Sequence, residues 1–314
     1  MIFKNTLPNI QYPFRISHNE LILSIGSCFT EHIGNKLSNL KFEIVQNPFG
    51  IVYNPISISK QLGFIFQNKI FIEKDLSFNN GKYFTWNHHS CFSNKDESKT
   101  LEKINIPLQE IYNNFEKISH LHITFATAWI YELKDQKSIV ANCHKFPNET
   151  FQKRLLSIDE ILNSFDLVLN LFINQFPNIK LLFSLSPVRH IRDGMIEDRL
   201  SKSILHVSIH EIVKRYSQAH YFPAYELVTD DLRDYRFYKQ DLVHPNDMAI
   251  EYVWEYFCNS FFDKNTLEIN KKIDAILKMK NHIGDENNIE YLQFKQKIEF
   301  LENQFNLSYP HIIL

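Results

Sequence analysis

Ser27 is the residue of this sequence best placed to act as a nucleophile. It follows an apolar run at residues 21–25, which predicts a buried strand, and it precedes apolar residues at helical spacing. Backbone N–H groups at a helix N-terminus stabilise a developing oxyanion. Serine is also a common helix N-cap, so this segment by itself favours a capping role over a catalytic one.

A base for Ser27 is supplied by the segment Asp241-Leu242-Val243-His244-Pro245. A serine hydroxyl becomes an effective nucleophile only when a base takes its proton. Here a carboxylate stands three residues before a histidine, and the proline stops any helix, so one loop supplies both the base and the group that orients its imidazole. The alternative for such a motif in isolation is a surface loop with an incidental histidine.

Five apolar runs predict the strands that must position these residues, at residues 21–25, 42–45, 121–125, 180–185 and 219–222. Amphipathic helices alternate with them, a pattern typical of a mostly parallel sheet that is covered on both faces. Ligands of such sheets bind outside the carboxyl ends of the strands. We therefore expect the residue pairs at three predicted strand ends to converge: Gly26-Ser27, Ala126-Thr127 and Ser186-Pro187.

The predicted domain organisation is one α/β domain over residues 1–263 with a helical extension over residues 264–314. The extension is charged and helical in pattern. Residues 67–100 lack clear periodicity but contain the turn signal Asn79-Asn80-Gly81. They are expected to form a hairpin or lid that is inserted into the core fold.

Composition excludes several classes of partner. The 314 residues are 44% hydrophobic and 22% charged, and a net charge of −2 gives no general attraction to nucleic acid or anionic lipid. No stretch approaches the roughly 20 apolar residues that span a bilayer. Residues 1–20 lack the apolar core of a signal peptide, so the expected compartment is the cytoplasm. The oligomeric state stays open.

Cysteines and histidines give no metal or cofactor signal. The four cysteines are far apart, none forms a CxxC pair, and Cys28 is expected to pack rather than react because adjacent side chains diverge. Five histidines considered as metal ligands have no HxxxH or HxH spacing among them, so a metal hydrolase is the least favoured function. No cofactor is predicted. The five are His88, His89, His144, His190 and His244.

Several further blocks make the sequence resemble the GSCFA family, a bacterial branch related to the SGNH/GDSL hydrolases. Gly26-Ser27-Cys28-Phe29 nearly spells the family name, with Thr30 where Ala is usual. A nucleophile near the N-terminus and a DxxH near the C-terminus is also the chain order of SGNH hydrolases. The resemblance continues in order to about residue 255 through Asn47-Pro48-Phe49-Gly50-Ile51, Asn142-Cys143-His144-Lys145, Ser186-Pro187-Val188-Arg189-His190, Tyr221-Phe222-Pro223, Asp231-Leu232-Arg233-Asp234-Tyr235-Arg236-Phe237 and Asp241-Leu242-Val243-His244-Pro245.

The resemblance implies a flavodoxin-like three-layer α/β/α sandwich of the SGNH hydrolase type, with a parallel sheet. It implies that Ser27 is the nucleophile and His244 the base, held by Asp241. Gly50 matches a position whose N–H lines the oxyanion hole, and its Pro-flanked turn is able to present that group. The alternative for Gly50 is a simple turn glycine.

The expected oxyanion hole departs from the SGNH pattern. Those enzymes have an Asn after the third strand, whereas this segment reads Phe125-Ala126-Thr127-Ala128-Trp129. Thr127 or Asn142 is expected to donate instead, together with the Ser27 N–H. Loss of one oxyanion donor typically lowers a rate by about 10²- to 10³-fold. The departure favours, as the alternative function, a non-catalytic carbohydrate or small-molecule binding protein on the same scaffold.

Substrate contacts are expected from basic residues near the ends of the predicted strands. Arg189 and Arg236 suit bidentate recognition of a carboxylate or phosphate, and His190 follows a strand end directly. His88 is a further candidate. The sequence thus predicts a serine-dependent ester hydrolase or acyltransferase for a small-molecule or glycan ester. The alternative for the arginines, Arg233 included, is structural pairing with Asp193, Asp231 and Asp234.

Overall fold

A computed structural model describes residues 6–282 and 289–314 of the chain. Within these ranges the strands form one five-stranded, one two-stranded and one three-stranded sheet. The strands are β1 (Leu21–Gly26), β2 (Ile44–Gln46), β3 (Ser77–Asn79), β4 (Lys82–Phe84), β5 (Ile118–Phe125), β6 (Trp129–Leu133), β7 (Ser138–Ile139), β8 (Phe151–Leu155), β9 (Lys180–Leu185) and β10 (Ala219–Phe222).

The five-stranded sheet has the order β10-β9-β5-β1-β2, and every neighbouring pair in it is parallel. In chain order its strands therefore run 2-1-3-4-5, which is the order of flavodoxin-like doubly wound sheets. The predicted fold class is confirmed. The order reverses between β1 and β5, and ligands of such sheets bind at the carboxyl ends beside this switch point.

Helices cover both faces of this sheet and complete the three layers. The helices are α1 (Cys28–Asn39), α2 (Pro55–Phe66), α3 (Glu97–Asn113), α4 (Ile158–Gln175), α5 (Met195–Arg215), α6 (Ala224–Glu226), α7 (Asp247–Phe261), α8 (Lys264–Lys280) and α9 (Ile289–Ser308). Apolar side chains of α2, α3, α4 and α5 share one core with Leu23 and Ile25 of β1. Those of α1 and α7 pack with Ile22 on the opposite face.

Side-chain caps fix where the helices that flank the site begin. Ser27 is the N-cap of α1, and Asn54 caps α2 with Pro55 at the first helical position. A capping box begins α4, because the Ser157 hydroxyl accepts from the Glu160 N–H and the Glu160 carboxylate accepts from the Ser157 N–H. These caps set the direction in which each strand end leads into its helix.

Two small sheets are added to the core fold. β3 and β4 form an antiparallel hairpin whose turn residues Asn80 and Gly81 both have positive φ, as a two-residue turn requires. The predicted hairpin is thus present, while its role as a lid stays a prediction. The antiparallel sheet β7-β6-β8, at residues 129–155, was not predicted.

The last two helices pack mainly against each other. Ile273 and Ile276 of α8 form a small apolar cluster with Phe305 of α9, and Leu40 at the end of α1 contacts it. The helical character predicted for the C-terminal extension is therefore present in its described residues. No helix in the described ranges is long and apolar enough to cross a membrane.

Candidate active site

Ser27 lies at the carboxyl end of β1, beside the switch point, and is fully buried. Its hydroxyl accepts a hydrogen bond from the Phe29 N–H (3.3 Å), and its carbonyl accepts one from Thr30 (2.9 Å). Gly26 before it is held by Asn47, whose side-chain oxygen accepts from the Gly26 N–H (2.9 Å). The capping role considered for Ser27 is therefore present, and the same position puts its hydroxyl at the positive end of α1.

The loop between Asp241 and His244 has the geometry of a base with its orienting carboxylate. His244 Nδ1 lies 2.7 Å from Asp241 Oδ2, while Asp241 Oδ1 accepts from the backbone N–H groups of Val243 (2.9 Å) and His244 (3.0 Å). These hydrogen bonds lower the pKa of Asp241 to about 2. The carboxylate is therefore ionised at neutral pH and holds a proton on Nδ1, which leaves Nε2 as the basic nitrogen.

His244 lies near the start of α1 but forms no hydrogen bond with Ser27 in the described structure. Burial is the largest cause of the lowered pKa values of His32, on α1, and of His190, after β9, and a smaller electrostatic effect of His244 contributes to both. Among the described residues no hydrogen bond joins Ser27 to His244, whose side chain is 41% exposed. The nucleophile and base candidates thus share one end of the sheet without being in hydrogen-bonding contact.

Gly50 does not offer its N–H to an oxyanion in this structure. The group donates to the Asn47 carbonyl at 2.7 Å and so closes a tight turn. Gly50 has φ of +77°, and a Cβ there would lie 2.5 Å from the His89 Cβ. The expectation that Gly50 lines the oxyanion hole is corrected: its backbone hydrogen bond and its conformation are those of a turn glycine.

Thr127 and Asn142 differ in whether they have a hydrogen-bond donor that is not already engaged. The Thr127 N–H donates to the Tyr53 carbonyl (3.1 Å), and its hydroxyl lies 3.2 Å from the Ser201 hydroxyl. The Asn142 side-chain oxygen accepts from the His144 N–H (2.8 Å). In the described part of the chain the Asn142 side-chain NH₂ has no partner, so it is the more available donor of the two.

A cavity of about 240 Å³ brings together three of the predicted site residues: Thr127, Asn142 and His190. Tyr53 and the β6 residue Trp129 also line it, so the unpredicted sheet supplies one wall. Burial raises the pKa of Tyr53, with further contributions from Cys28 and Glu31 of α1, which places this cavity wall near the start of that helix.

His88 is a core residue rather than a substrate contact. It is 1% exposed, and its Nδ1 lies 2.6 Å from the Thr85 hydroxyl. Its ring packs against those of Phe49 and Phe71 at centroid distances of 4.7 and 4.8 Å. Burial lowers the pKa of His88 to about 3. The predicted substrate role is corrected, because no ligand reaches a ring so enclosed by aromatic side chains.

The predicted basic residues separate into two groups. Arg236 is exposed and pairs with Asp234 (3.1 Å), one of the partners expected on the ion-pairing alternative, whereas Arg233 pairs with Asp230 (3.3 Å), which was not among them. Arg189 instead lies over the ring of Tyr238, 4.7 Å from its centroid, and its N–H donates to the Val243 carbonyl (3.3 Å). Arg189 is therefore fixed beside the His244 loop.

His190 is the one of these residues that faces the cavity. Its N–H donates to Asp198 (3.0 Å), and its ring meets the Tyr53 ring edge-on at 5.3 Å. Burial and, to a smaller extent, the Lys202 ammonium lower the pKa of His190 to about 3. The ring is therefore neutral at physiological pH and suited to a hydrogen bond with a polar ligand.

Cysteines and metal ligands add nothing to the site. Burial, assisted by Glu31, raises the pKa of the Cys28 thiol, and burial raises that of Cys143 to about 11, so neither is an activated thiolate. Histidine pairs at metal-ligand spacing do occur elsewhere, at His120/His122 and His206/His210. Within the described ranges no group of three or more His, Cys, Asp or Glu side chains is arranged to hold a metal ion.

Lys202 is the functional candidate that the sequence analysis missed. Its side chain is 2% exposed, and its Nζ donates to the Ala126 and Ser186 carbonyls, each at 2.8 Å. These carbonyls follow the ends of β5 and β9. The available signal was helical periodicity, because Lys202 precedes Leu205 and Ile209 by three and seven residues on the buried stripe of α5.

Comparison with known proteins gives a family match across the site. The model of the GSCFA family matches residues 21–257, which include both Ser27 and the His244 loop. The chain resembles the solved structure of a carbohydrate esterase family 3 protein from Talaromyces cellulolyticus (6% identity, TM-score 0.36, 82% of this chain and 99% of that one). It also resembles an acetyl esterase mutant solved with an acetate ion (9% identity, TM-score 0.36, 82% and 99% coverage). No curated protein matches the sequence.

Proposed function

The chain belongs to the GSCFA family, and on that premise we propose that it is an ester hydrolase or acyltransferase that forms an acyl-enzyme on Ser27. The observation that carries the proposal is the 2.7 Å contact between Asp241 and His244 Nδ1. A histidine held in this way presents a basic Nε2, and the pair lies at the end of the sheet that carries the serine. This is the combination that acyl transfer through a serine needs.

The proposed reaction has two steps. His244 Nε2 takes the Ser27 hydroxyl proton as Oγ attacks the ester carbonyl, and the tetrahedral intermediate then collapses to the acyl-enzyme. The leaving alcohol departs with the proton that His244 returns. A water molecule, or an acceptor alcohol, attacks the acyl-enzyme with the same base, so hydrolysis and acyl transfer differ only in the second nucleophile.

Oxyanion stabilisation is assigned to the N-terminus of α1 and to side-chain donors beside it. The Ser27 N–H and the positive end of the helix dipole favour negative charge at this point. The Asn142 side-chain NH₂ is the best remaining donor because it lines the cavity and has no partner within the described residues. Thr127 is the second choice, since its hydroxyl already contacts Ser201.

Access to Ser27 requires a local rearrangement. The residue is fully buried, whereas His244 is partly exposed on a loop. We propose that substrate binding moves this loop until Nε2 meets the serine hydroxyl, since catalytic hydrogen bonds often tighten only in the substrate complex. The cavity lining combines polar and aromatic side chains with the charged residues Lys153, Arg192 and Asp193, and such a lining suits a polar ligand such as a small-molecule or glycan ester.

A binding protein without catalysis is the second candidate. Two observations favour it: Ser27 has no exposed surface, and no hydrogen bond links it to His244 in the described structure. On this alternative the cavity would hold a carbohydrate or other small molecule, and Ser27 would only cap α1.

Labelling by a fluorophosphonate probe separates these functions. The wild-type protein is expected to be labelled at a single site and Ser27→Ala to lose the label. Ser186→Ala is a matched control, because Ser186 is equally buried at a strand end and likewise accepts an N–H two residues ahead, from Val188 (3.3 Å). Equal labelling of wild type and Ser27→Ala would overturn the assignment, and no labelling of folded wild type would favour the binding protein.

A further inference from the structure

A buried ammonium lies at the same end of the sheet as the proposed nucleophile and has no carboxylate at ion-pair distance in the described structure. Lys202 Nζ has two acceptors, the carbonyls of Ala126 and Ser186 at 2.8 Å. Lys202 forms no ion pair within the described ranges, and no third acceptor lies within hydrogen-bond distance of its Nζ. An ammonium has three donors, so one N–H is left without an acceptor and the charge is left without a carboxylate at contact distance. Such a group is unfavourable in a protein interior unless something balances it.

The sheet register places this ammonium at the same end of the sheet as Ser27. Gly26 pairs with Thr124 of β5, and Thr124 pairs with Ser184 of β9. Ala126 and Ser186 each stand two residues beyond those partners, so their carbonyls lie at the same edge of the sheet as the residue that follows Gly26. Lys202 thus joins the ends of β5 and β9, the first and second strands on one side of β1.

Titratable groups on α5 itself and on two neighbouring elements interact with Lys202. They are Asp198 and Arg199 of α5, the Cys28 thiol of α1 and His190 after β9. Asp198 acts on it from beyond ion-pair distance and is itself engaged with the His190 N–H. Burial, the largest effect, lowers the pKa of Lys202 to about 8.

We propose that Lys202 is a positioning residue for the reaction at Ser27, one that fixes the two strand-end loops and supplies positive charge opposite the tetrahedral oxyanion. The inference rests on the proposed function. The developing oxyanion then supplies the negative charge that Lys202 lacks at contact distance in the resting protein. A fixed positive charge of this kind lowers the energy of the transition state more than that of the ground state. It also accounts for activity without the Asn that SGNH enzymes carry after the third strand.

The test compares wild type with Lys202→Met, which has similar length and no charge, and with Lys202→Arg, which keeps the charge at every pH. The readouts are the fluorophosphonate labelling rate and kcat and KM for p-nitrophenyl acetate, between about pH 7 and about pH 10. We expect Lys202→Met to lower kcat and the labelling rate by about 10²-fold with little change in KM. Wild type should lose rate as pH rises through the pKa of Lys202, and neither variant should show that loss.

Controls separate the role of the charge from folding and from the proposed function. Ser208→Ala changes another buried polar residue of α5, whose hydroxyl bonds only to the Ile204 carbonyl in the described structure, and should leave the rates within about twofold. A folded Lys202→Met with wild-type rates, while Ser27→Ala remains unlabelled, overturns this inference alone. Absence of labelling in folded wild type removes the proposed function and this inference with it. If Lys202→Met does not fold, a wild-type rate that stays level with rising pH is the overturning result.

Discussion

At the residue scale, the pairing of Asp241 with His244 is the contact on which the proposed chemistry depends most. Asp241 accepts three hydrogen bonds from its own loop, one of them from the imidazole. It is therefore a rigid acceptor that selects the tautomer of His244. The proposed nucleophile, Ser27, forms no hydrogen bond with another side chain in the described structure. Its position is fixed by the end of β1 and the start of α1.

Asp241→Asn is expected to lower the labelling rate of Ser27 by about 10²- to 10⁴-fold, because an amide no longer selects the Nδ1–H tautomer or stabilises the imidazolium. Asp263→Asn is the matched control. Asp263 also accepts a backbone N–H, from Thr266 (2.7 Å), but caps α8 far along the chain. Parallel rate measurements on both variants check this, and equal rates for wild type and Asp241→Asn would remove His244 as the base.

His88 gives a prediction for stability against pH. Its pKa is about 3 in the folded protein, against 6.5 for an unperturbed imidazole, so the folded state binds protons more weakly than the unfolded chain. The contribution of neutral, buried His88 to the free energy of unfolding is fully present above about pH 6.5. It is lost as the pH falls toward 3, by at most about 1.4 kcal/mol per pH unit for one group.

His88→Phe keeps the aromatic packing with Phe49 and Phe71 and removes this proton linkage. The free energy of unfolding should therefore fall less steeply with acid in the variant than in wild type. Urea titrations at several pH values measure the slope. Identical slopes in the two proteins would show that His88 titrates normally and is not enclosed as described.

At the element scale, the junction between β1 and α1 is the most constrained segment of the site. A Cβ on Gly26 would lie 2.4 Å from the Thr124 carbonyl oxygen and 2.7 Å from the Thr30 hydroxyl, and φ is +155°. Glycine here lets β1 and β5 approach closely while the chain turns into the helix. Ser27 therefore takes its position because Gly26, the residue before it, has no side chain.

Gly26→Ala should destabilise the fold by about 1–3 kcal/mol and displace Ser27, because backbone rather than a flexible side chain must move. Gly63→Ala, in α2, is the control, since a Cβ there meets nothing within 4 Å. It should be neutral or stabilising by up to about 1 kcal/mol. Thermal unfolding and the labelling rate of Ser27 are measured for both variants. Equal stabilities and equal rates in the two would contradict the close packing described for the junction of β1 and α1.

The elements differ in how far the sequence predicted them. The central strands were predicted because each is a short apolar run bounded by turn residues. The sheet at residues 129–155 was not, since β7 has two residues and the turn at Lys137 uses positive φ without a glycine. Helix α5 begins at Met195, ahead of the residues from Ile204 onward whose apolar spacing favours a helix. Its first turns expose Met195 and Ile196 and have no side-chain cap at Gly194.

At the scale of the whole molecule, the site is assembled from segments that are far apart in sequence, and this limits what motifs predict. Ser27 and His244 were proposed as nucleophile and base because each lies in a recognisable local block, and the fold brings both to one end of the sheet. His88 was wrongly predicted to contact substrate, because the presence of a histidine in a sequence does not show whether its side chain is buried. Lys202 was missed because a lysine on an apolar stripe is usually exposed at its tip, and only the packed strand ends show that it is not.

The most direct measurement is the mass of the protein during turnover of p-nitrophenyl acetate, acid-quenched and followed by peptide mapping. An acyl-enzyme on Ser27 predicts one added acetyl group on the peptide that contains Ser27, transient in wild type and absent in Ser27→Ala. Acetyl groups found only on exposed lysines, or an equal amount of adduct in Ser27→Ala, would contradict the assignment of Ser27 as the nucleophile.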